Sequence, residues 1–202
     1  MNAAQVERFF RIFAQKLNEP ATVILTGAAA GVLWGHVRPS RDVDFAVCPR
    51  RTGPDVWRRI EAAVKGAIQA TGISANYAQD IDRWGAISLT DYRQQSRPYR
   101  QFGKVQVRLM DPAYWSIGKI SRYIVPDIRD LVAVLKMEKI PPARLLKVWG
   151  GALRASPPSD ACLQFRKNVE EFLQGYGRTI WGKRFDPEGS IHRFHREAGI
   201  TL

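Results

Sequence analysis

Hydrophobic and polar positions follow two different spacings in the first third of the chain. Apolar side chains lie three and four residues apart in some segments, which predicts amphipathic helices, whereas short β-branched or alternating runs predict strands. Gly27 separates the first predicted strand from the helix after it, and Gly72 ends the third helix. The predicted helices are residues 3–17, 28–35 and 54–71, and the predicted strands are Thr22–Leu25 and Asp42–Val47.

The spacing changes near residue 110. Before that point, short apolar runs predict three more strands, and the polar stretch Asp91–Arg100 predicts an exposed loop or hairpin tip. After it, helical spacing predominates. We therefore expect an α/β (α+β) fold with a sheet-bearing part at 1–110 and a helical C-terminal part at 111–202. The strands are predicted at Ile73–Tyr77, Ala86–Leu89 and Lys104–Leu109, and the helices at Tyr114–Tyr123, Pro126–Met137, a short segment ending at Trp149 and a segment starting at Asp160.

The chain is strongly basic, with 31 Lys and Arg against 19 Asp and Glu among 202 residues and a net charge of +12. Such an excess favours polyanionic partners such as nucleotides or RNA, although a basic surface that merely keeps the protein soluble is the alternative. The N-terminal segment is charged throughout and no run is long and apolar enough to span a membrane. With two unrelated cysteines, Cys48 and Cys162, these features predict a cytoplasmic protein.

Two carboxylates, Asp42 and Asp44, lie at spacing two on the second predicted strand. Side chains alternate between faces along a strand, so both acids share one face, with Cα atoms about 7 Å apart. A divalent cation removes the repulsion between such carboxylates, and Mg²⁺ prefers one or two carboxylates together with phosphate oxygens. The alternative is a surface arrangement in which Arg38 and Arg41 form salt bridges with the two acids.

The turn between the first strand and its helix, Gly27–Ala28, is a second candidate for chemistry. Glycine at a strand-to-helix turn allows backbone N–H groups to approach a phosphate, and the helix N-terminus adds partial positive charge. Many such turns carry glycine for steric reasons alone, but the combination with an acid pair on the next strand is more specific. Together they predict a site for a divalent metal and a phosphate chain.

The two features resemble the signature of the nucleotidyltransferase superfamily (polymerase-β-like). In that pattern an apolar residue and glycine, here in Leu25–Ala28, precede an Asp–apolar–Asp–apolar strand, here Asp42–Phe45 after a gap of thirteen residues. The similarity is closest to bacterial abortive-infection and toxin-type nucleotidyltransferase-like proteins, which carry an Arg-x-Ser-x-Asp-x-Asp segment that Arg38 and Ser40 match. The resemblance implies a nucleotidyltransferase-like mixed sheet flanked by helices.

Two later segments extend this resemblance. Lys119–Arg122 matches a Lys-x-x-Arg motif, and Asp127–Asp130 matches an Asp-x-x-Asp helix. Asp127 and Asp130 share a helix face because they are three residues apart, and Ile128, Leu131, Val132 and Leu135 are predicted to form the buried stripe. The same spacing also permits a structural alternative, in which Arg122 and one of these acids form an ion pair that holds two helices together.

The resemblance implies a Mg²⁺-dependent (or Mn²⁺-dependent) transfer of NMP from an NTP to a hydroxyl of RNA, tRNA included, or of a protein. A toxin–antitoxin role with a cognate antitoxin as partner follows from the same resemblance. Its implied metal ligands are Asp42 and Asp44, its further catalytic residues are Lys119, Asp127 and Asp130, and its substrate-binding residues are Gly27, Ala28, Arg38, Ser40 and Arg122.

Two positions depart from the superfamily pattern and define a second hypothesis. Ala28 stands where the family has a phosphate-contacting serine, with Thr26 or Ser40 as possible substitutes. The strand expected to carry a third carboxylate has Gln106 and Arg108 at its outward positions. These departures favour a non-catalytic protein of the same fold that binds RNA or a partner protein.

Overall fold

A computed structural model describes residues 1–35 and 41–200, apart from the side chain of Arg83. The predicted site residues Arg38 and Ser40 therefore lie outside the described residues. The chain divides into two compact units, which are described separately. Unit 1 comprises Met1–Ile81 with Arg93–Met110, and unit 2 comprises Asp82–Tyr92 with Asp111–Leu202.

Unit 1 contains the sheet, and the α+β fold class is confirmed. Among the described residues the sheet has five strands in the order β3-β2-β1-β5-β4. It is mixed, because β1 is antiparallel to β2 and parallel to β5, while β2 is parallel to β3 and β4 is antiparallel to β5. The elements of unit 1 are α1 (Ala3–Leu17), β1 (Ala21–Thr26), α2 (Gly27–Trp34), β2 (Asp42–Pro49), α3 (Pro54–Thr71), β3 (Ser74–Ala78), β4 (Arg97–Phe102) and β5 (Val105–Leu109).

Aromatic side chains form the core on one face of this sheet. The Phe45 ring of β2 lies 5.3 Å from the Phe10 ring of α1 and 5.8 Å from the Tyr77 ring of β3, measured between centroids. Phe9 and Phe13 also contact Phe45, each at 6.1 Å. Aromatic pairs at such distances add to the stabilisation that burial provides. Phe45 is therefore committed to this face, and alternation along β2 places Asp42 and Asp44 on the opposite face.

Unit 2 is helical, and its helices contact one another through polar as well as apolar groups. Trp149 donates from its indole nitrogen to the Ser116 hydroxyl at 2.8 Å, which joins α6 to α4. Asn168 donates to the Ile120 carbonyl at 2.8 Å, which joins α7 to α4. The helices of unit 2 are α4 (Pro112–Arg122), α5 (Val125–Met137), α6 (Pro142–Ala155), α7 (Asp160–Trp181) and α8 (Pro187–Ala198).

Two sequence predictions about extended structure were wrong. The strand predicted at Ala86–Leu89 is instead a turn, because the Asp82 carboxylate accepts hydrogen bonds from the Leu89 backbone and from the Ser88 hydroxyl. The loop predicted at Asp91–Arg100 contains the start of β4. Its side chains bind α1, since Tyr99 Oη and Arg100 Nη1 donate to the Glu7 carboxylate at 2.5 and 2.6 Å.

The helical predictions needed smaller corrections. The short helix predicted to end at Trp149 continues to Ala155, and the stretch after Gly175, which gave no assignment, contains the end of α7 and all of α8. The buried stripe of α5 includes Asp127 and Asp130, while Ile128 and Val132 are only half-buried. Within residues 1–35 and 41–200, no helix combines the length and apolar character that crossing a bilayer requires.

Candidate functional site

The Asp42 and Asp44 carboxylates lie side by side on the polar face of β2. Both acids are half-buried, and both bind the side-chain amide of Asn76, which is exposed on β3. Asn76 Nδ2 donates to Asp42 Oδ2 at 3.2 Å and to Asp44 Oδ1 at 2.8 Å. The parallel register of the two strands sets this arrangement, because Asp44 and Asn76 are direct partners. Two carboxylates therefore present oxygens to one point at the solvent boundary.

Gly27 approaches the Asp44 carboxylate so closely that a larger residue would require the carboxylate to move. A β-carbon built on Gly27 would lie 2.0 Å from Asp44 Oδ2, and the Gly27 φ of +62° is one that other residues rarely adopt. The antiparallel pairing of β1 with β2 causes this approach, since Thr26 is the partner of Asp44. The glycine turn and the acid pair are thus one structural feature, although thirteen residues separate them in sequence.

The N-terminus of α2 begins at this turn. Backbone N–H groups in the first turn of a helix have no partner within the helix, and they add partial positive charge there. The side chain of the N-cap residue, Thr26, makes no capping hydrogen bond with the described residues. Its hydroxyl instead lies 3.5 Å from the Met110 sulfur. Since Ala28 has no hydroxyl, a phosphate at this turn would be bound through backbone N–H groups.

The resemblance leads us to expect a third carboxylate on β5. The outward positions of β5 instead carry Gln106 and Arg108, neither of which is acidic. Arg108 is the partner of Ile24 in the sheet, and its guanidinium donates to the Ser96 hydroxyl at 2.7 Å and to the Ser96 carbonyl. In the part of the chain that the structure describes, no group of three or more His, Cys, Asp and Glu residues is arranged to hold a metal. The carboxylates that converge at this place are Asp42 and Asp44.

Unit 2 contains the other predicted cluster, which is a buried ion network. Lys119 of α4 is 2% exposed, and its ammonium group donates to Asp127 Oδ1 at 2.7 Å and to Asp130 Oδ2 at 2.6 Å. The same ammonium lies 5.2 Å from the centre of the Trp115 ring. A buried lysine is tolerated when carboxylates neutralise it, and breaking such a pair is strongly destabilising. The network thus holds α4 to α5.

Arg122 completes this network at its exposed side. Its Nε donates to Asp127 Oδ2 at 2.8 Å, although 60% of the arginine side chain remains exposed. Burial by itself raises the pKa of Asp127, but hydrogen bonds from Arg122 and Lys119 and their positive charges outweigh it and hold the pKa below its usual value. Asp127 is consequently a carboxylate at neutral pH, and the ion pair posed as a structural alternative is present.

The predicted site residues therefore fall into two sets. Gly27, Ala28, Asp42 and Asp44 are adjacent at the ends of β1 and β2 in unit 1. Lys119, Arg122, Asp127 and Asp130 form the ion network of unit 2.

Sequence reasoning missed Asn76. Its signal was weak, because a single polar residue in a short strand is common. It becomes informative only with the knowledge that β3 is the parallel neighbour of β2.

Comparisons with protein families, curated proteins and solved structures found no match for this chain. Its function is therefore inferred from the chemistry of its own side chains.

Proposed function

We propose that the protein is a Mg²⁺-dependent nucleotidyltransferase that transfers NMP from an NTP to a hydroxyl of RNA or of a protein. The observation that carries this proposal is the convergence of Asp42 and Asp44 beside the Gly27 turn. Hard cations such as Mg²⁺ and Mn²⁺ take carboxylate oxygens as ligands and leave coordination positions for phosphate. The donor set therefore fits the cation that the resemblance implies.

In this proposal Asp42 and Asp44 hold the cation, which would neutralise charge on the triphosphate during in-line transfer. The chain itself contributes orientation and further charge stabilisation. Backbone N–H groups in the first turn of α2 would donate hydrogen bonds to phosphate oxygens, and such fixed donors need no reorganisation during the reaction. Asn76 is a positioning residue, since its amide holds both carboxylates in one orientation.

The ion network of unit 2 has a different place in the proposal. The burial of Lys119 and its two carboxylate partners oppose the role of phosphate ligand that the resemblance implies for it. We assign Lys119, Asp127 and Asp130 the structural role of holding α4 to α5. The role of phosphate-binding residue that the resemblance implies for Arg122 stays a prediction, and 60% of its side chain is exposed.

Metal-dependent nucleotide binding tests the proposal directly. Asp42→Asn should abolish Mg²⁺-dependent NTP binding in calorimetry, since an amide supplies no negative charge to the cation. Asp55→Asn removes the same charge from an exposed site on α3 and should bind as the unmodified protein does. Equal binding by both variants would contradict the proposed metal site.

Transfer itself can be measured with labelled nucleotides. The protein is incubated with each labelled NTP, Mg²⁺ and total tRNA, and label is followed into RNA and into protein. We expect one NTP to label one acceptor class, and expect Asp42→Asn to prevent it. If no NTP labels either class although Mg²⁺-NTP binds, the catalytic proposal is wrong for these acceptors.

A second candidate function is the binding of RNA or of a partner protein without catalysis, by a protein with a nucleotidyltransferase-like fold. The specific observation in its favour is the Asn76 amide, which donates to both carboxylates and brings a positive dipole to them. Gln106 and Arg108, in place of an acid on β5, also favour this candidate. A toxin–antitoxin role is compatible with either function.

The Asn76→Ala variant separates the two candidates. If Asn76 positions metal ligands, its removal should weaken Mg²⁺ binding by about 10–100-fold. If the amide instead replaces a cation, its removal should strengthen Mg²⁺ binding, because the positive dipole that both carboxylates share is lost. Gln69→Ala removes an exposed amide from α3 instead and is the control, which should leave the Mg²⁺ affinity unchanged.

A further inference from the structure

Unit 1 contains a cavity at the end of the sheet opposite to the acid pair. Its volume is about 320 Å³, which lies in the range of cavities that hold small ligands. It lies where β1 and β5 begin and β2 ends, because Thr22 is paired with Cys48 on one side and with Gln106 on the other. The cavity is lined by Pro20, Ala21, Thr22, Cys48, Arg50, Lys104 and Gln106.

The lining is positively charged and rich in hydrogen-bond donors. Arg50 and Lys104 supply two cations, Gln106 supplies an amide and Thr22 supplies a hydroxyl. No acidic residue of the described chain lines the cavity. Lys104 donates to the neutral Asn18 carbonyl at 3.1 Å, so its charge is not cancelled there. Within residues 1–35 and 41–200, neither cation forms an ion pair.

The cavity is separate from the acid pair. Thr22 and Thr26 are four residues apart on β1, which corresponds to about 13 Å along the strand. Ile24 and Ala46, which lie between the two places on the same face, are 2% and 0% exposed. A ligand in the cavity therefore does not extend along this face to Asp42 and Asp44.

We propose that this cavity binds a phosphate monoester carried by a ligand of about nucleotide size. A phosphate monoester carries nearly two negative charges at neutral pH, which matches the two cations. Arginine can donate two parallel hydrogen bonds to phosphate oxygens, and lysine acts as a point charge beside them. The volume exceeds that of a phosphate group, and Pro20 and Ala21 supply apolar surface for the remainder of the ligand. A free mononucleotide and the 5′-phosphorylated end of an RNA strand share this chemistry.

Cys48 provides a direct readout because it lines the cavity, whereas Cys162 lies on α7 in unit 2. The two thiols are alkylated at pH 9 with and without ligand, and each is quantified by peptide mass spectrometry. The alkaline pH is chosen because burial raises the pKa of Cys48. AMP at about ten times its dissociation constant should slow Cys48 alkylation about tenfold and leave Cys162 unchanged. Potassium chloride at equal ionic strength should protect neither thiol.

Paired variants show whether the two cations bind the ligand. Arg50→Gln with Lys104→Gln should remove the protection. Arg11→Gln with Lys65→Gln changes the net charge equally at exposed positions of α1 and α3 and should retain the protection. Loss of protection in both pairs would show a general effect of charge and would overturn the proposal, as would the absence of protection by every phosphate ligand.

A comparison of AMP with two RNA oligonucleotides identifies the source of the phosphate. Protection by AMP indicates a mononucleotide site, and protection only by a 5′-phosphorylated RNA oligonucleotide indicates a strand end. An oligonucleotide with a 5′-hydroxyl should protect at least tenfold less well at the same concentration. If it protects equally, the site binds backbone diesters and the proposed monoester is wrong.

Discussion

Gly27 is the residue on which the geometry of the acid pair most directly depends. Gly27→Ala should displace the Asp44 carboxylate, because a β-carbon there would lie 2.0 Å from Asp44 Oδ2. We expect loss of Mg²⁺ binding together with a decrease of about 1–3 kcal/mol in the free energy of unfolding. Gly72→Ala is the matched control, since Gly72 has a similar φ of +70° but no described atom within 4 Å of an added β-carbon.

Calorimetry and denaturant unfolding of the two variants separate the effect of backbone strain from the effect of a steric clash with Asp44. Both should lose stability because alanine disfavours a positive φ. Only Gly27→Ala should lose the metal. If both variants retain Mg²⁺ binding, Asp44 does not hold the cation.

Asp127 should make stability dependent on pH in the acid range. Its pKa is lowered in the folded protein, so its ionised form contributes stability above its unfolded pKa of about 4, and that contribution is lost as falling pH protonates it. Asp127→Asn should decrease the free energy of unfolding by about 3 kcal/mol at pH 7 and flatten its fall below pH 4.

Denaturant unfolding at several pH values measures this effect. Asp160→Asn removes an exposed acid from the same unit. The slope of the free energy of unfolding against pH should then stay near that of the unmodified protein. A slope unchanged by Asp127→Asn would show that other groups cause the acid sensitivity.

At the scale of elements, two adjacent glycines of α6 should respond oppositely to the same change. A β-carbon on Gly150 would lie 2.5 Å from Glu197 Cβ and 2.8 Å from the Glu197 carbonyl carbon in α8. Gly150→Ala should therefore destabilise unit 2 by about 1–3 kcal/mol. At Gly151 no described atom lies within 4 Å, so alanine there should stabilise the helix by about 0.5–1 kcal/mol. Thermal unfolding of both variants checks the contrast, and destabilisation by both would contradict the close approach of α6 and α8.

The sequence predicted those elements whose hydrophobic spacing is regular. The helix predicted at residues 3–17 is confirmed as α1, and the strands β1 and β2 differ from their predictions by two residues or fewer at each end. β4 was missed because its exposed edge carries Arg97, Pro98 and Arg100 instead of an alternating apolar pattern. The turn that replaces the strand predicted at Ala86–Leu89 depends on the side chain of Asp82, which spacing alone does not reveal.

The candidate site was predictable in part for the same reason. Alternation along one strand places Asp42 and Asp44 on a common face, and the structure shows both beside Asn76. The contribution of Asn76 depends on strand order, which the sequence does not specify. The burial of Lys119 likewise depends on how α4 and α5 pack, and no local pattern marked it as buried.

At the scale of the whole molecule, positive charge is distributed unevenly between the two units. Unit 1 carries 15 Lys and Arg against 7 Asp and Glu, a net charge of +8 out of +12. Such charge supports sequence-independent binding to RNA, which weakens as the salt concentration rises. The logarithm of the binding constant falls linearly with the logarithm of the salt concentration, with a slope of about −0.7 for each phosphate contacted on a single strand.

Fluorescence anisotropy with single-stranded RNA between about 50 and 200 mM KCl measures this dependence. We expect a steep negative slope that remains when Asp42 and Asp44 are both changed to Asn, because the acids are not the source of the attraction. An RNA affinity that does not change with salt concentration would contradict an electrostatic interface. Loss of RNA binding when the two acids are replaced would also contradict it.

The aromatic core around Phe45 has a consequence for the opposite side of the sheet. Because side chains alternate with a period of two, a slip of β2 by a single residue would turn Asp42 and Asp44 toward the aromatic core and move Phe45 to the opposite face. Four rings, from Phe9, Phe10, Phe13 and Tyr77, surround Phe45 and make that slip unfavourable. The aromatic side chains lie on the face opposite to the two acids. By fixing the register of β2, they determine the direction in which each carboxylate points.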